Sequence, residues 1–156
     1  MPGITIAEEL HVVNILPPVD LNGSAKNSDV FDMENYAHAT IIIQAGVTGA
    51  AFTVTVEECD DFVPTTVTAI AYAVYKEETD AGDTLGVRTA VAAAGFAASL
   101  NNNIMYVIEI DARQLTDGRA KLRVAFTDPA AATVASAVAI LSGSRYAQDQ
   151  SPTAIA

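Results

Sequence analysis

The sequence predicts an all-β protein, an antiparallel sandwich or barrel in one domain. Three observations predict it. Apolar and polar residues alternate with a period of two through most patterned stretches. Those stretches recur at roughly 10–20-residue spacing with Gly, Asn, Asp and Pro between them. Helical patterning is scarce. The best helical candidate, Thr89 to Ser99, is Ala-rich but interrupted by Gly95 and carries no apolar stripe. It reads as an irregular connection holding one helical turn.

Taken in order, Thr5 to Val13 fits either a first strand or a short helix. Pro17-Pro18 then divides the first residues from the rest, so 1–18 reads as an N-terminal arm or first strand. His38 to Gln44 contains Ile41-Ile42-Ile43, apolar on both faces, as an interior strand would be. Ala51 to Glu58 puts Phe52, Val54 and Val56 on one face and Thr53, Thr55 and Glu57 on the other. Gly46 to Gly49 between these two predicts a hairpin turn. Val67 to Lys76 reads as one strand, with Ile70, Tyr72 and Val74 opposite Ala69, Ala71 and Ala73. Ile104 to Asp111 follows a turn-prone Asn triplet and is apolar on both faces. Asp117-Gly118 and Asp128-Pro129 bracket a strand over Lys121 to Thr127. Val134 to Ser142 is the last strand, with Val134, Val138 and Ile140 facing away from Ala135, Ala137 and Ala139. The domain is expected over 19–147, and 148–156 has no packing pattern, as a flexible tail would.

Composition narrows the function. The net charge is −11, which opposes a role on nucleic acid or on anionic membranes, since both need basic surface. Charged residues are 17% and apolar ones 51%, against about 25% charged in ordinary proteins. Much of the surface must therefore be small and uncharged, and such a surface is cheap to desolvate against another subunit. The single cysteine, Cys59, rules out an intrachain disulfide, and the Met1-Pro2-Gly3 start does not read as a secretory signal. Synthesis in the cytosol is the expectation.

Chemistry-bearing patterns are few. His11 and His38 stand alone, outside any metal or triad motif. The neighbours of Cys59 are Glu57, Glu58, Asp60 and Asp61, which suppress a thiolate nucleophile. The acidic runs 57–61 and 77–83 offer oxygen ligands for calcium but lack the ligand order of an EF-hand, and they read as solvated strand ends. No enzyme activity, cofactor or metal is expected. One cluster stands out: Arg113, Arg119, Lys121 and Arg123 are four of the eight basic residues. On a strand, Arg119, Lys121 and Arg123 share a face, which makes a candidate docking face for an acidic neighbour. A charged edge strand guarded against aggregation would give the same pattern.

Segments spread through the chain carry a resemblance. They are H-V-V-N-I-L-P-P from His11, S-D-V-F-D-M-E-N-Y from Ser28, G-V-T-G from Gly46 and T-V-T-V-E-E-C-D from Thr53. G-D-T-L from Gly82, Y-V-I-E-I-D from Tyr106 and A-I-L-S-G-S-R-Y from Ala139 complete the set. In this order the chain resembles small tailed-bacteriophage virion proteins, the head decoration or cement proteins. The resemblance lies in the scaffold and brings no individual binding residues with it. It implies a jelly-roll-like β-sandwich with flexible termini, placed on the capsid exterior, with the major capsid protein and further copies of itself (dimer or trimer) as partners. Another virion component, of tail tube, fibre base or head fibre, is the alternative. A carbohydrate-binding module fits less well, because the chain has no Trp and its five Tyr are scattered.

Overall fold

The computed structural model describes residues 3–80 and 82–144, and these form two antiparallel β-sheets packed face to face. A single helical turn, α1 (Ile6–Glu9), precedes the first strand, so the ambiguous Thr5 to Val13 segment is helix first and strand second. In chain order the strands are β1 (His11–Asp20), β2 (Lys26–Asn27), β3 (Phe31–Asp32), β4 (Tyr36–Thr48), β5 (Thr53–Cys59) and β6 (Val67–Ala69). The remaining strands are β7 (Tyr72–Glu77), β8 (Thr89–Val91), β9 (Phe96–Ala97), β10 (Ile104–Asp111), β11 (Lys121–Phe126) and β12 (Thr133–Ser144).

Sheet A has the order β1-β12-β4-β10-β7-β8, and sheet B has β2-β11-β5-β6, with β3 also on β11 and β9 also on β5. First strand pairs with last, β2 and β3 with β11, β4 with β10, and β5 with β6. This nested pairing is that of a long hairpin rolled into a jelly roll, with β7 and β8 extending sheet A. The all-β sandwich is thus present, and among the described residues helix is confined to α1 and a 3₁₀ turn at Ala112–Gln114.

Rolling the chain this way changes several local expectations. Gly46 to Gly49 does not close a hairpin, because β4 lies in sheet A and β5 in sheet B. The connection crosses between sheets and comes so close to the β11–β12 crossover that a Cβ on Gly49 would sit 2.6 Å from the Ala132 carbonyl oxygen. Val67 to Lys76 is two strands, since the chain leaves sheet B after Ala69 and enters sheet A at Tyr72. Thr89 to Ser99 holds no helical turn; it supplies the short strands β8 and β9 around a turn at Gly95. Gly95 has φ +81° and lies against the Val54 backbone, a place open only to glycine.

Pro17-Pro18 is not a boundary either. β1 runs through both prolines to Asp20, with register shifts on β12 between Asn14 and Leu16 and between Leu16 and Val19. Prolines are tolerated here because β1 is an edge strand and the irregular register does not require their missing N–H groups. The tail 148–156 lies outside the described residues.

The core lies between the sheets. Sheet B contributes Phe31, Phe52, Val54, Val56, Leu122, Val124 and Phe126, and sheet A contributes Ile41, Ile43, Val74, Tyr106, Ile108 and Ile110, all buried. On β12 the inward residues are Ala135, Ala137, Ala139 and Leu141. Its Val138 and Ile140 therefore point outward and put apolar side chains on the far side of sheet A.

Candidate docking surfaces

The basic cluster is divided by the fold. Arg123 and Lys121 stand on the outer face of β11, and Arg119 lies just before that strand. The Arg123 guanidinium donates from Nε to Glu57 Oε2 at 2.7 Å, with both side chains only 17% exposed. Lys121 Nζ is 3.7 Å from Asp32 and 5.0 Å over the centre of the Phe62 ring. Arg119 donates to the Thr68 hydroxyl. Most of this stripe's charge is answered by carboxylates of its own chain, because antiparallel pairing sets β11 against β5 and β3. The edge-strand explanation does not apply either, since β11 is interior to sheet B. Arg113 is elsewhere, in the turn after β10, bonded to both oxygens of Asp111 and 90% exposed.

The acidic run 57–61 is also committed locally. Glu57 serves Arg123. Asp60 accepts the Thr65 hydroxyl and the backbone N–H groups of Thr65 and Thr66, which hold its carboxyl down to about 2. Glu58 is buried on the core side of β5, where Oε1 accepts the Thr116 N–H at 2.6 Å and Oε2 has no hydrogen-bond partner. Among the described residues, no group of three or more His, Cys, Asp or Glu is placed to hold a metal ion. Burial, more than its acidic neighbours, pushes the Cys59 thiol up, with Arg123 opposing and Glu57 and Asp60 adding to it. His11 stacks on Tyr36, and His38 Nε2 meets Glu109 Oε2 at 2.5 Å while the Thr40 hydroxyl donates to the same oxygen.

A different surface emerges from the register of sheet A. Val138 pairs with Ile42, Ile42 with Val107, and Val107 with Tyr75, so four apolar side chains form one row across the outer face. The next row reads Val12, Ile140, Thr40, Glu109 and Ala73. Val12 is 49% exposed, Ile42, Tyr75, Val138 and Ile140 are half-buried, and Val107 and Ala73 are buried. The outward side of a sandwich sheet is ordinarily polar. Here the central charged group is Glu109, and His38 and Thr40 hold it. Toward the β4–β5 end the face dips into a concavity of about 490 Å³ between Pro18 and the β7–β8 loop, with Gln44, Met105 and Ser136 among its lining and Glu77 and Asp80 at its side.

Sequence reasoning passed over this face. The alanine faces of Val67 to Lys76 and Val134 to Ser142 suit either close approach of subunits or the thin core of an intramolecular sandwich, and on β12 the structure has the latter, with Ala135, Ala137 and Ala139 turned into the core. The usable signal was present in β4 and β10, both apolar on two faces: an interior strand has two covered sides along the sheet, but its outer face need not be covered.

No family model matches the chain, and no curated protein matches it. Among solved structures it is similar to a chain in a structure of infectious bursal disease virus Gt strain, at 10% identity and a TM-score of 0.21. The alignment covers 87% of this chain, which spans only 37% of that one. A likeness of that strength carries no argument about fold or function.

Proposed function

We propose that this protein is a capsid decoration, or cement, protein of a tailed bacteriophage, a structural subunit that packs against other virion subunits on the capsid exterior. The observation that carries the reading is the apolar outer face of sheet A in a chain of net charge −11. Apolar side chains on the outward side of a sheet suit contact with another subunit. The opposite face of the sandwich is dressed with ion pairs (Arg123 with Glu57, Lys121 with Asp32) and suits water. Such a two-sided slab fits a layer with protein beneath and solvent above. A cement protein must also touch more than one neighbour, and a second surface exists: Ile4 is 73% and Ile6 49% exposed in the segment before β1. Modest contacts of this sort, repeated over a lattice, reinforce one another through avidity. The phage-virion resemblance of the sequence supplies the identity of the lattice.

Phage heads lacking the protein provide the test. Adding the purified chain should give saturable binding and raise the temperature at which the heads release DNA. Heads that neither bind it nor gain stability would end the proposal.

A further inference from the structure

We propose that the Asn22-Gly23 turn is a self-modification site, at which the Asn22 side-chain amide is lost as ammonia and the linkage becomes aspartyl or isoaspartyl. Asn22 is the one asparagine of the chain that is followed by glycine. Glycine matters because the next backbone nitrogen must reach the side-chain carbonyl carbon, and a Cβ on that residue hinders the approach.

The fold leaves this turn open. It joins β1 to β2, and both residues are exposed. Gly23 has φ +91°, and nothing lies within 4 Å of the place a Cβ would take. Among the described residues no hydrogen bond holds the Asn22 side chain; its backbone N–H alone is bound, to Asp20 Oδ1 at 3.0 Å. The Gly23 N–H donates to Asp128 Oδ1 at 3.2 Å, a long bond at an exposed carboxylate that water can replace. The other asparagines are better guarded. The nitrogen after Asn27 donates to the Val124 carbonyl, and the one after Asn35 to the Met33 carbonyl. The Asn101 and Asn102 side chains are bound, to the Glu78 carbonyl and the Thr48 N–H. Asn14 and Asn103 each precede an isoleucine, whose branched side chain is in the way.

The chemistry needs only water. The Gly23 nitrogen, its proton passed to a base in solvent, attacks the Asn22 side-chain carbonyl carbon. The new N–C bond closes an imide ring as the bond to the amide nitrogen breaks, and that nitrogen leaves as ammonia. Water then opens the ring. Addition at the side-chain carbonyl gives an aspartyl linkage. Addition at the main-chain carbonyl gives isoaspartate, with one more methylene in the backbone. One water enters, one ammonia leaves, and nothing is oxidised or reduced.

The product would form where it has reach. Asp20 Oδ1 accepts from the Asn22 and Thr133 N–H groups, and Asp128 Oδ1 from those of Gly23 and Ala130. These bonds tie the β1–β2 turn to the β11–β12 crossover. A third carboxylate repels both aspartates. The longer backbone of isoaspartate also draws the Gly23 N–H away from Asp128. β1 is an edge strand with two prolines and two register shifts, so this end of it depends the more on those ties. The modified turn loosens the junction between the first strand and the last.

Peptide mapping by mass spectrometry, on the folded full chain kept in mildly alkaline buffer, tests the proposal. The mass gain of deamidation should appear at residue 22 before any other asparagine shows it, as both aspartate and isoaspartate, at a rate that rises with hydroxide concentration. Asn22→Gln, at an exposed side chain without partners, should stay intact. The aged chain, and Asn22→Asp unaged, should show faster amide exchange at Thr133 and Ala130. Residue 22 unchanged in the folded chain overturns the proposal, as does a gain spread evenly over the asparagines. Unaltered exchange at Thr133 and Ala130 in a fully converted chain overturns the loosening.

Discussion

The Tyr72 hydroxyl, carried by sheet A, donates a 2.7 Å hydrogen bond to the backbone carbonyl of Val54 in sheet B. The two residues are joined through the core, with Tyr72 4% and Val54 0% exposed. It is a polar tie between two layers otherwise held by apolar contact. A buried donor and acceptor depend on each other there, since water cannot replace either.

Tyr72→Phe should therefore cost about 1–2 kcal/mol, because it removes a buried hydrogen bond between the sheets while keeping the ring. Urea unfolding with an unchanged m-value is the measurement. A variant as stable as the parent would mean that the carbonyl finds another donor.

Alkaline pH should act through the same layer. Burial pushes the Tyr72 phenol up from its ordinary value near 10, and pushes Tyr106 up to about 12. The neutral phenols are thus favoured by the fold. Their contribution is fully present below pH 10 and is lost as pH rises through about 12. Tyrosinate absorbance and the unfolding midpoint should move together in that window, and Tyr106→Phe should flatten part of the decline.

Glu58 closes the end of the core by accepting the Thr116 N–H. Glu58→Ala removes the acceptor of this hydrogen bond and should cost about 1 kcal/mol. Glu58→Gln retains an acceptor and should cost less. Hydrogen exchange at Thr116 separates the two, with fast exchange expected for Ala alone.

Gly49→Ala should destabilise the sandwich by about 1–3 kcal/mol, because the added methyl meets the Ala132 carbonyl in a place where two crossovers touch. Thermal unfolding reads it. Gly118→Ala tests a different cost: its φ of +79° disfavours any side chain, although nothing lies within 4 Å of the position.

How much of this was legible beforehand differs by element. β5, β10 and β11 were readable almost to the residue, since strict alternation or a two-sided apolar run between Asn, Gly and Pro marks leaves few alternatives. The break at Ile70-Ala71 was not, because a strand that changes sheets keeps the same alternation through the change. The Arg123–Glu57 pair was hidden for a related reason: 66 residues separate its members, and only the β11–β5 register sets them opposite each other.

Composition and periodicity by themselves determined that this chain forms β-strands and carries surplus negative charge. They did so because alternation and charge are local properties. Tertiary structure alone decided which side of β12 is inside. The alanines of β12 face the core and Val138 faces out because the Phe and Ile side chains of the two sheets fill the interior. That choice depends on the volume available between the sheets, which no single strand encodes.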